Sequence, residues 1–317
     1  MFSLIRQMIR YALLSVLGMA CLGTVLAFGG ELGGWLDLCS HFRVVYLCIE
    51  AFGLLGCLVV RRFTWAVAVF AFLLINISQF IPFYAASAHQ AGALNQTLRV
   101  LQLNTWASNR HPQRIANLLT DTGPDIAALE EITAENYDFL RKQPVMRNYP
   151  SVVRLEKDRL VLLSRYPLVG KTQFGIYPAL IKAKILWQGQ PITVMVVHTW
   201  RPIGDYRQYQ HQLQRLGALV QATNRPIIVL GDLNTGPWSA PFQRLIRETG
   251  LRNTQVGQGI QPTYPYIFPK TQIPTWMPLL PIDHVLASPD FSTFKRWNGP
   301  FVGSDHLPVF VELVLSR

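Results

Sequence analysis

No cysteine follows residue 57. The four present, Cys21, Cys39, Cys48 and Cys57, all lie toward the N-terminus. The rest of the chain has no thiol to pair, which excludes a disulfide framework there and suits a domain exported to an oxidising compartment. No cluster of histidine and cysteine has the spacing of a zinc site. Acidic residues are scarce as well: 18 Asp and Glu stand against 29 Lys and Arg, a net charge of +11. From about residue 95 onward the balance is 24 basic to 15 acidic. A surface of that sign attracts nucleic acid and anionic lipid headgroups alike. No internal repeat is evident.

Charge is missing from long stretches of the N-terminal third. Tyr11 to Gly30 and Phe63 to Ser87 carry none, and Val44 to Val60 carries only Glu50. Each approaches or exceeds the roughly 20 apolar residues that cross a bilayer, so the pattern predicts three transmembrane helices within residues 1–87. Two other readings apply to the first stretch. It could be a cleavable signal peptide with Arg6 and Arg10 at its charged end. It could be a lipoprotein signal ending at Cys21, although Gly18 stands where Leu is usual. Buried core helices are a weaker alternative, because a domain with its own core does not need three uninterrupted apolar helices. Arg6, Arg10, Arg61 and Arg62 flank one side of these stretches, which places that side in the cytoplasm. The expectation is a multi-pass protein of the plasma (inner) membrane, with its C-terminal domain periplasmic or otherwise outside. Glu50 reads as interfacial and paired with Arg43, in preference to a relay site within the membrane. Residues 88–97 are small and polar and read as a linker. Residues 98–317 suit one domain.

Within that domain, strand-like apolar runs end in polar residues. Leu98 to Leu103 ends at Asn104. Asp125 to Leu129 ends at Glu130 and Glu131. Ile192 to Val197 ends at His198. Pro226 to Leu230 ends at Gly231-Asp232-Leu233-Asn234. Ile282 to Leu286 contains Asp283, and Ser304-Asp305-His306 precedes the run Leu307 to Leu313. One such end is ordinary turn chemistry. Six together point to a site. Amphipathic helices are predicted over Arg110–Asp121, Ala134–Lys142, Asp205–Thr223 and Ser239–Thr249. Strands alternating with helices give an α/β layered fold. His284 alternates to the face opposite Asp283 and reads as structural. His41, His89, His111 and His211 read as solvated.

With those residues in place, the chain from Leu98 to Leu315 resembles the endonuclease/exonuclease/phosphatase superfamily, which includes DNase I-like nucleases, apurinic endonucleases, neutral sphingomyelinases and inositol polyphosphate 5-phosphatases. The matching positions follow the family's order throughout. Asn104 matches its metal-site Asn and Glu131 its metal-binding Glu. His198 matches the phosphate-contacting His. Asp232 and Asn234 match the Gly-Asp-x-Asn pair. Asp283 matches the acid that orients the last His, and Asp305 and His306 match the terminal Ser-Asp-His. Leu163-Ser164-Arg165-Tyr166-Pro167 resembles a further family segment. The family usually has Gln where Glu130 stands; register assigns the metal to Glu131. The resemblance implies a four-layer α/β sandwich of two mixed β-sheets flanked by helices, and a divalent cation, Mg²⁺ or Mn²⁺.

These residue types suit that chemistry. Mg²⁺ takes oxygen ligands and keeps several waters, so Glu131, Asp305 and the amide of Asn104 supply an adequate set. Asp232 is suited to orient or deprotonate a water, with Asn234 holding phosphate or nucleophile. His198 and His306 can donate to phosphoryl oxygens as charge grows. Asp283 would fix the tautomer of His306. The sequence leaves open which group is the base and which the acid.

Thr254 to Pro281 lies between the Asp232 and Asp283 segments and is rich in aromatic and apolar residues, with Lys270 its one charge. It is expected to edge the site, with Tyr266 and Trp276 touching lipid or substrate; packing against the sheet is an equal alternative. Three functions compete. One is a membrane-anchored, metal-dependent hydrolase of lipid or soluble phosphate esters. Another is an exported nuclease. The last is a silent adaptor, disfavoured because every expected polar position is retained. No obligatory protein partner is evident.

Overall fold

The computed structural model describes residues 2–85, 97–170, 172–176, 179–267, 275 and 278–315. The backbone divides into two compact units: Met1–Pro82 with Gly236–Ala240, and Phe83–Thr235 with Pro241–Arg317.

The larger unit contains two six-stranded sheets. The strands of one are β1 (Thr97–Asn104), β2 (Ile126–Glu130), β3 (Ser151–Leu155), β4 (Leu160–Ser164), β11 (Phe291–Asn298) and β12 (Val309–Leu315), in the order β11-β12-β1-β2-β4-β3. The strands of the other are β5 (Gln173–Ile176), β6 (Ala179–Trp187), β7 (Gln190–His198), β8 (Ile227–Asp232), β9 (Arg252–Asn253) and β10 (Asp283–Ala287), in the order β5-β6-β7-β8-β10-β9. Both sheets are mixed: β1 runs parallel to β2 and β7 to β8, and their other pairings are antiparallel.

Side-chain alternation builds the layers. Leu98 and Val100 of β1, Ile126 and Ala128 of β2, Val194 and Val196 of β7, Ile228 and Leu230 of β8, and Val285 of β10 share one core between the sheets. The intervening residues of β1, Leu101 and Leu103, pack outward on Ile115 and Leu119 of α5 (Pro112–Thr122) and Leu140 of α6 (Ala134–Leu140). On the other flank Met195, Val197, Ile227 and Val229 pack on Leu213 and Leu216 of α7 (Tyr206–Gln221) and Phe242 and Leu245 of α8 (Ala240–Thr249). The result is a four-layer α/β sandwich, as the resemblance implied. The helices start on local chemistry. Thr133 caps α6 by accepting from the Asn136 N–H, Asp205 caps α7 by accepting from the Gln208 N–H, and Pro112 opens α5. Gly231 is required by a close approach, because a Cβ there would collide with the Val197 carbonyl oxygen.

Strands β3 to β6, β9 and β11 were not anticipated. β6 and β7 form a hairpin turning at Gln188 and Gly189, both at positive φ. The proposed linker falls almost entirely on residues outside those described, and Thr97 already belongs to β1.

The smaller unit is helical: α1 (Phe2–Leu26), α2 (Gly34–Ser40), α3 (Arg43–Val59) and α4 (Phe63–Tyr84, whose last two residues fall to the other unit). Three spans were expected; α4 is the one described helix long and apolar enough to cross a bilayer. The second expected span is a bent pair, with α2 and α3 meeting at 60°. Alone, the 17 residues of α3 rise only about 25 Å, short of a hydrocarbon core of about 30 Å. Within α1, Arg10–Leu26 is a shorter apolar helix. Glu50 is fully buried and accepts hydrogen bonds from Thr24 Oγ1 (2.7 Å) and Asn76 Nδ2 (2.8 Å). Arg43, also buried, donates to Asn76 Oδ1 at 3.3 Å. A buried carboxylate in an apolar bundle needs such partners.

Candidate active site

The inward positions of the strands turn polar at one end of the inter-sheet core. On β1 the series Leu98, Val100 continues as Gln102, Asn104. On β2 it continues from Ala128 to Glu130, on β7 from Val196 to His198, and on β8 from Leu230 to Asp232. Asp283 opens β10 directly opposite Asp232 in the ladder. Just beyond the strand ends Glu131 (φ 54) and Asn234 (φ 49) adopt left-handed backbone. That conformation is sparsely populated by non-glycine residues and is typical of functional turns.

The innermost layer is a chain of hydrogen bonds. His306 Nδ1 lies 2.7 Å from Asp283 Oδ2, which also accepts from Thr263 Oγ1 at 2.5 Å. Gln102 Nε2 donates to Asp283 Oδ1 at 2.7 Å and to Glu130 Oε2 at 2.9 Å. His306 Nε2 faces Asp232 Oδ2 at 3.8 Å. Ser304 Oγ donates to the Asn104 carbonyl at 2.7 Å and accepts from the His306 N–H at 3.0 Å, which fixes the turn carrying Asp305 and His306. The Tyr264 ring packs on the His306 ring at 4.7 Å.

The outer layer is richer in oxygen. Asn104 Nδ2 donates to Asp232 Oδ2 (3.1 Å) and Glu131 Oε1 (3.2 Å). Glu131 Oε2 accepts from the Ala107 N–H at 3.1 Å. His198 Nε2 stands 3.7 Å from both Glu131 Oε1 and Asp232 Oδ2. The Asn234 amide donates to the Thr199 carbonyl (2.9 Å), and its N–H donates to Asp232 Oδ1 (2.8 Å).

Protonation follows from this geometry. Burial alone would lower the pKa of His306, but Asp283 and Asp232 outweigh it and raise it to about 10. His306 is therefore an imidazolium at neutral pH. Burial opposes ionisation of Asp283, but His306 and three hydrogen bonds hold it below the usual carboxylate range. Burial keeps Asp232 above that range despite His306. Glu130, enclosed beside Asp283 and Asp232, is pushed well up by burial and their charge. For Glu131 burial is outweighed by His198 and by the donors on its oxygens, so it stays below. Burial, with Glu131 and Asp232 adding repulsion against the pull of His306, raises Asp305 to about 6.

Two groups could be considered for a cation. Asp232, Asp283 and His306 offer atoms within 4.8 Å of one another. Their imidazole is protonated and bonded to Asp283, so that trio is an acid–imidazolium–acid bridge. Glu131 and Asp305 present carboxylate oxygen beside Asn104, whose Nδ2 faces Glu131 and Asp232 while its Oδ1 accepts from the Trp106 N–H at 3.0 Å. Among the described residues no Lys or Arg pairs with Glu131, Asp232 or Asp305. Carboxylates flanked by imidazoles, with no Lys or Arg on them, fit a hard divalent cation.

The structure thus gathers Asn104, Glu131, His198, Asp232, Asn234, Asp283, Asp305 and His306 at one end of the core. It sets His284 apart on the outer face, where Nε2 meets the Thr235 carbonyl at 2.7 Å and the ring packs on Phe242. Arg165 lies at the far end: Ser164 pairs with Ile126, the end of β2 away from Glu130. Sequence reasoning missed Gln102 and Thr263. Gln102 carried a usable signal, two residues before Asn104 on the same strand face; Thr263 lies in a loop and carried none. The aromatic segment borders the site, with Tyr266 N–H donating to the Asp305 carbonyl at 2.8 Å and the Tyr266 ring packed on Phe301. Trp276 lies outside the described residues.

A model of the Endonuclease/Exonuclease/phosphatase family matches residues 101–306. No curated protein matches the chain by sequence. Among solved structures, an endonuclease/exonuclease/phosphatase from Beutenbergia cavernae aligns at 20% identity and TM-score 0.55, over 70% of this chain and 72% of its own. A mannosyl-6-phosphatase from Bacteroides thetaiotaomicron aligns at 15% identity and TM-score 0.54, over 69% and 100%. Sphingomyelinase C from Streptomyces griseocarneus aligns at 16% identity and TM-score 0.51, over 68% and 99%.

Proposed function

The chain belongs to the endonuclease/exonuclease/phosphatase family, and from that premise we propose that it is a membrane-anchored, divalent-cation-dependent hydrolase of phosphate esters, phosphodiesters foremost. The observation that carries this reading is the change from apolar to polar at the inward positions of β1, β2, β7 and β8, which gathers carboxylates and imidazoles at one end of the core.

Asn104, Glu131 and Asp305 would hold the cation, Mg²⁺ or Mn²⁺. When bound it supplies Lewis-acid polarisation of the phosphoryl oxygen and offsets charge developing there. Asp232 takes the proton of the attacking water. Its raised pKa suits a base better than that of a fully solvated carboxylate. His306, held as imidazolium by Asp283, donates to a non-bridging oxygen. His198, whose Nε2 lies 3.7 Å from the same Asp232 oxygen that His306 faces, is a second donor, and Asn234 locks the Asp232 carboxylate through its own N–H.

Membrane attachment is supported by α4 and by apolar side chains exposed on the helical unit, such as Phe52 (76%), Trp65 (62%) and Val67 (70%). Arg61 and Arg62 immediately precede α4, and no Lys or Arg follows until Arg99. The positive end belongs in the cytoplasm, so the catalytic unit lies outside. Alkaline phosphatase fused after residue 95 would then be active and a cytoplasmic fluorescent reporter dark; the reverse pattern overturns the orientation.

A second reading, an exported nuclease, is favoured by the basic excess beyond residue 95. The deciding experiment gives the purified full chain in detergent an aryl phosphodiester, a phospholipid and short DNA, with Mg²⁺ or chelator. Cation-dependent turnover of the diester and lipid supports the proposal. Preference for DNA favours the nuclease. No turnover of any substrate overturns both.

A further inference from the structure

The five residues Gly236–Ala240 follow Thr235 directly, two residues beyond the Asp232–Asn234 turn, yet they belong to the helical unit. The reason is chemical. Asp37 of α2 is fully buried. Its Oδ1 accepts from the Ala240 N–H at 2.6 Å and its Oδ2 from Ser239 Oγ at 3.0 Å. A buried carboxylate is costly without donors, and this segment provides them. Trp238 adds an independent hold from α4: its Nε1–H donates to the Gln79 carbonyl at 3.1 Å and its ring packs on Phe80 at 4.9 Å. Only four residues lie between Thr235 and Ala240. Upstream, Thr235 is held by His284 and Asn234 by Thr199.

We propose that Asp37 is a positioning residue for the hydrolytic reaction: the helical unit, through Asp37 and Trp238, holds the segment that leaves the Asp232–Asn234 turn, and full turnover needs that hold. The inference rests on the proposed phosphoester hydrolysis. Catalytic groups act within narrow tolerances, and a misplacement of about 1 Å costs on the order of 100-fold in rate. The N-terminal region is then part of the working enzyme as well as its anchor. Asp37→Ala removes both acceptors. Asp37→Asn keeps one carbonyl oxygen. Trp238→Phe removes only the Nε1 donor and keeps a ring against Phe80.

The experiment uses full-length protein in detergent and two readouts. Hydrogen exchange over residues 232–240 needs no substrate, and Asp37→Ala should speed it at least tenfold at the Ala240 amide. Steady-state kinetics on an aryl phosphodiester should show kcat down about tenfold or more for Asp37→Ala, with KM within twofold, and smaller losses for Trp238→Phe and Asp37→Asn. A merely structural role would lower the folded yield or Tm but leave kcat per folded molecule and KM alone. Unchanged exchange, or kcat within twofold for both Asp37→Ala and Trp238→Phe, overturns the inference. An inactive wild type would sink the hydrolase reading instead, while exchange still decides whether Asp37 holds the segment.

Discussion

His306 and Asp283 are joined by a 2.7 Å contact between Nδ1 and Oδ2, with both side chains almost fully excluded from solvent. The pair makes His306 a permanent donor. His306→Ala removes that donor, whereas Asp283→Asn leaves the ring in place with an altered partner. kcat should fall about 100-fold or more for His306→Ala, Asp232→Asn and His198→Ala, the scale of acid-base and oxyanion contributions. Asp283→Asn should be milder than His306→Ala. Steady-state kinetics on one phosphodiester checks the order.

The adjacent glutamates should behave in opposite ways. Glu131 is held below the usual carboxylate range and bonded to Asn104 and Ala107, whereas Glu130 is enclosed and pushed well above it, with Gln102 on its Oε2. Glu131→Gln should raise the Mg²⁺ concentration for half-maximal activity by about tenfold or more, the scale of a lost ligand or ligand-orienting partner. Glu130→Gln keeps the size of an enclosed side chain whose charged form burial disfavours, and should keep activity within about threefold. Cation titrations of the two variants separate them, and equal losses would contradict the assignment of Glu131.

Asp305 sets a pH limit. Its pKa near 6 means that protons compete with a cation for its carboxylate below that pH. The ionised form is needed, so activity at limiting Mg²⁺ should fall as pH drops through about 6. Excess Mg²⁺ should move that limb to lower pH. A limb insensitive to cation concentration would remove Asp305 from the cation set.

His284 should matter for stability and little for turnover. It holds the Thr235 carbonyl and packs on Phe242 behind the β8–β10 ladder. His284→Ala should cost about 1–3 kcal/mol, read as a lower thermal midpoint, because it leaves a cavity and a buried carbonyl short of a donor. kcat should stay within about threefold. A loss equal to that of His306→Ala would mean that His284 reaches the reaction.

The sequence by itself determined the ends of the inner strands. Leu98, Val100 and Asn104, or Ile228, Leu230 and Asp232, alternate with period two, and that period places the polar residue on the same face as the apolar ones before it. The local chain also determined α5 to α8, through amphipathic spacing and caps such as Thr133 and Asp205. Tertiary structure decided what depends on pairing across long separations. Gln102 lies 181 residues from Asp283 and Thr263 meets the same carboxylate from a loop, so neither bond has a local signature. Apolar composition marked three stretches for a bilayer, but the bend between α2 and α3 and the burial of Glu50 depend on helices packing on one another. Asp37 is the clearest case. In sequence it is one acid on a short helix; only the fold brings Ser239 and Ala240 to it, 202 and 203 residues away, because burial in an apolar unit selects whichever donors the rest of the chain can deliver.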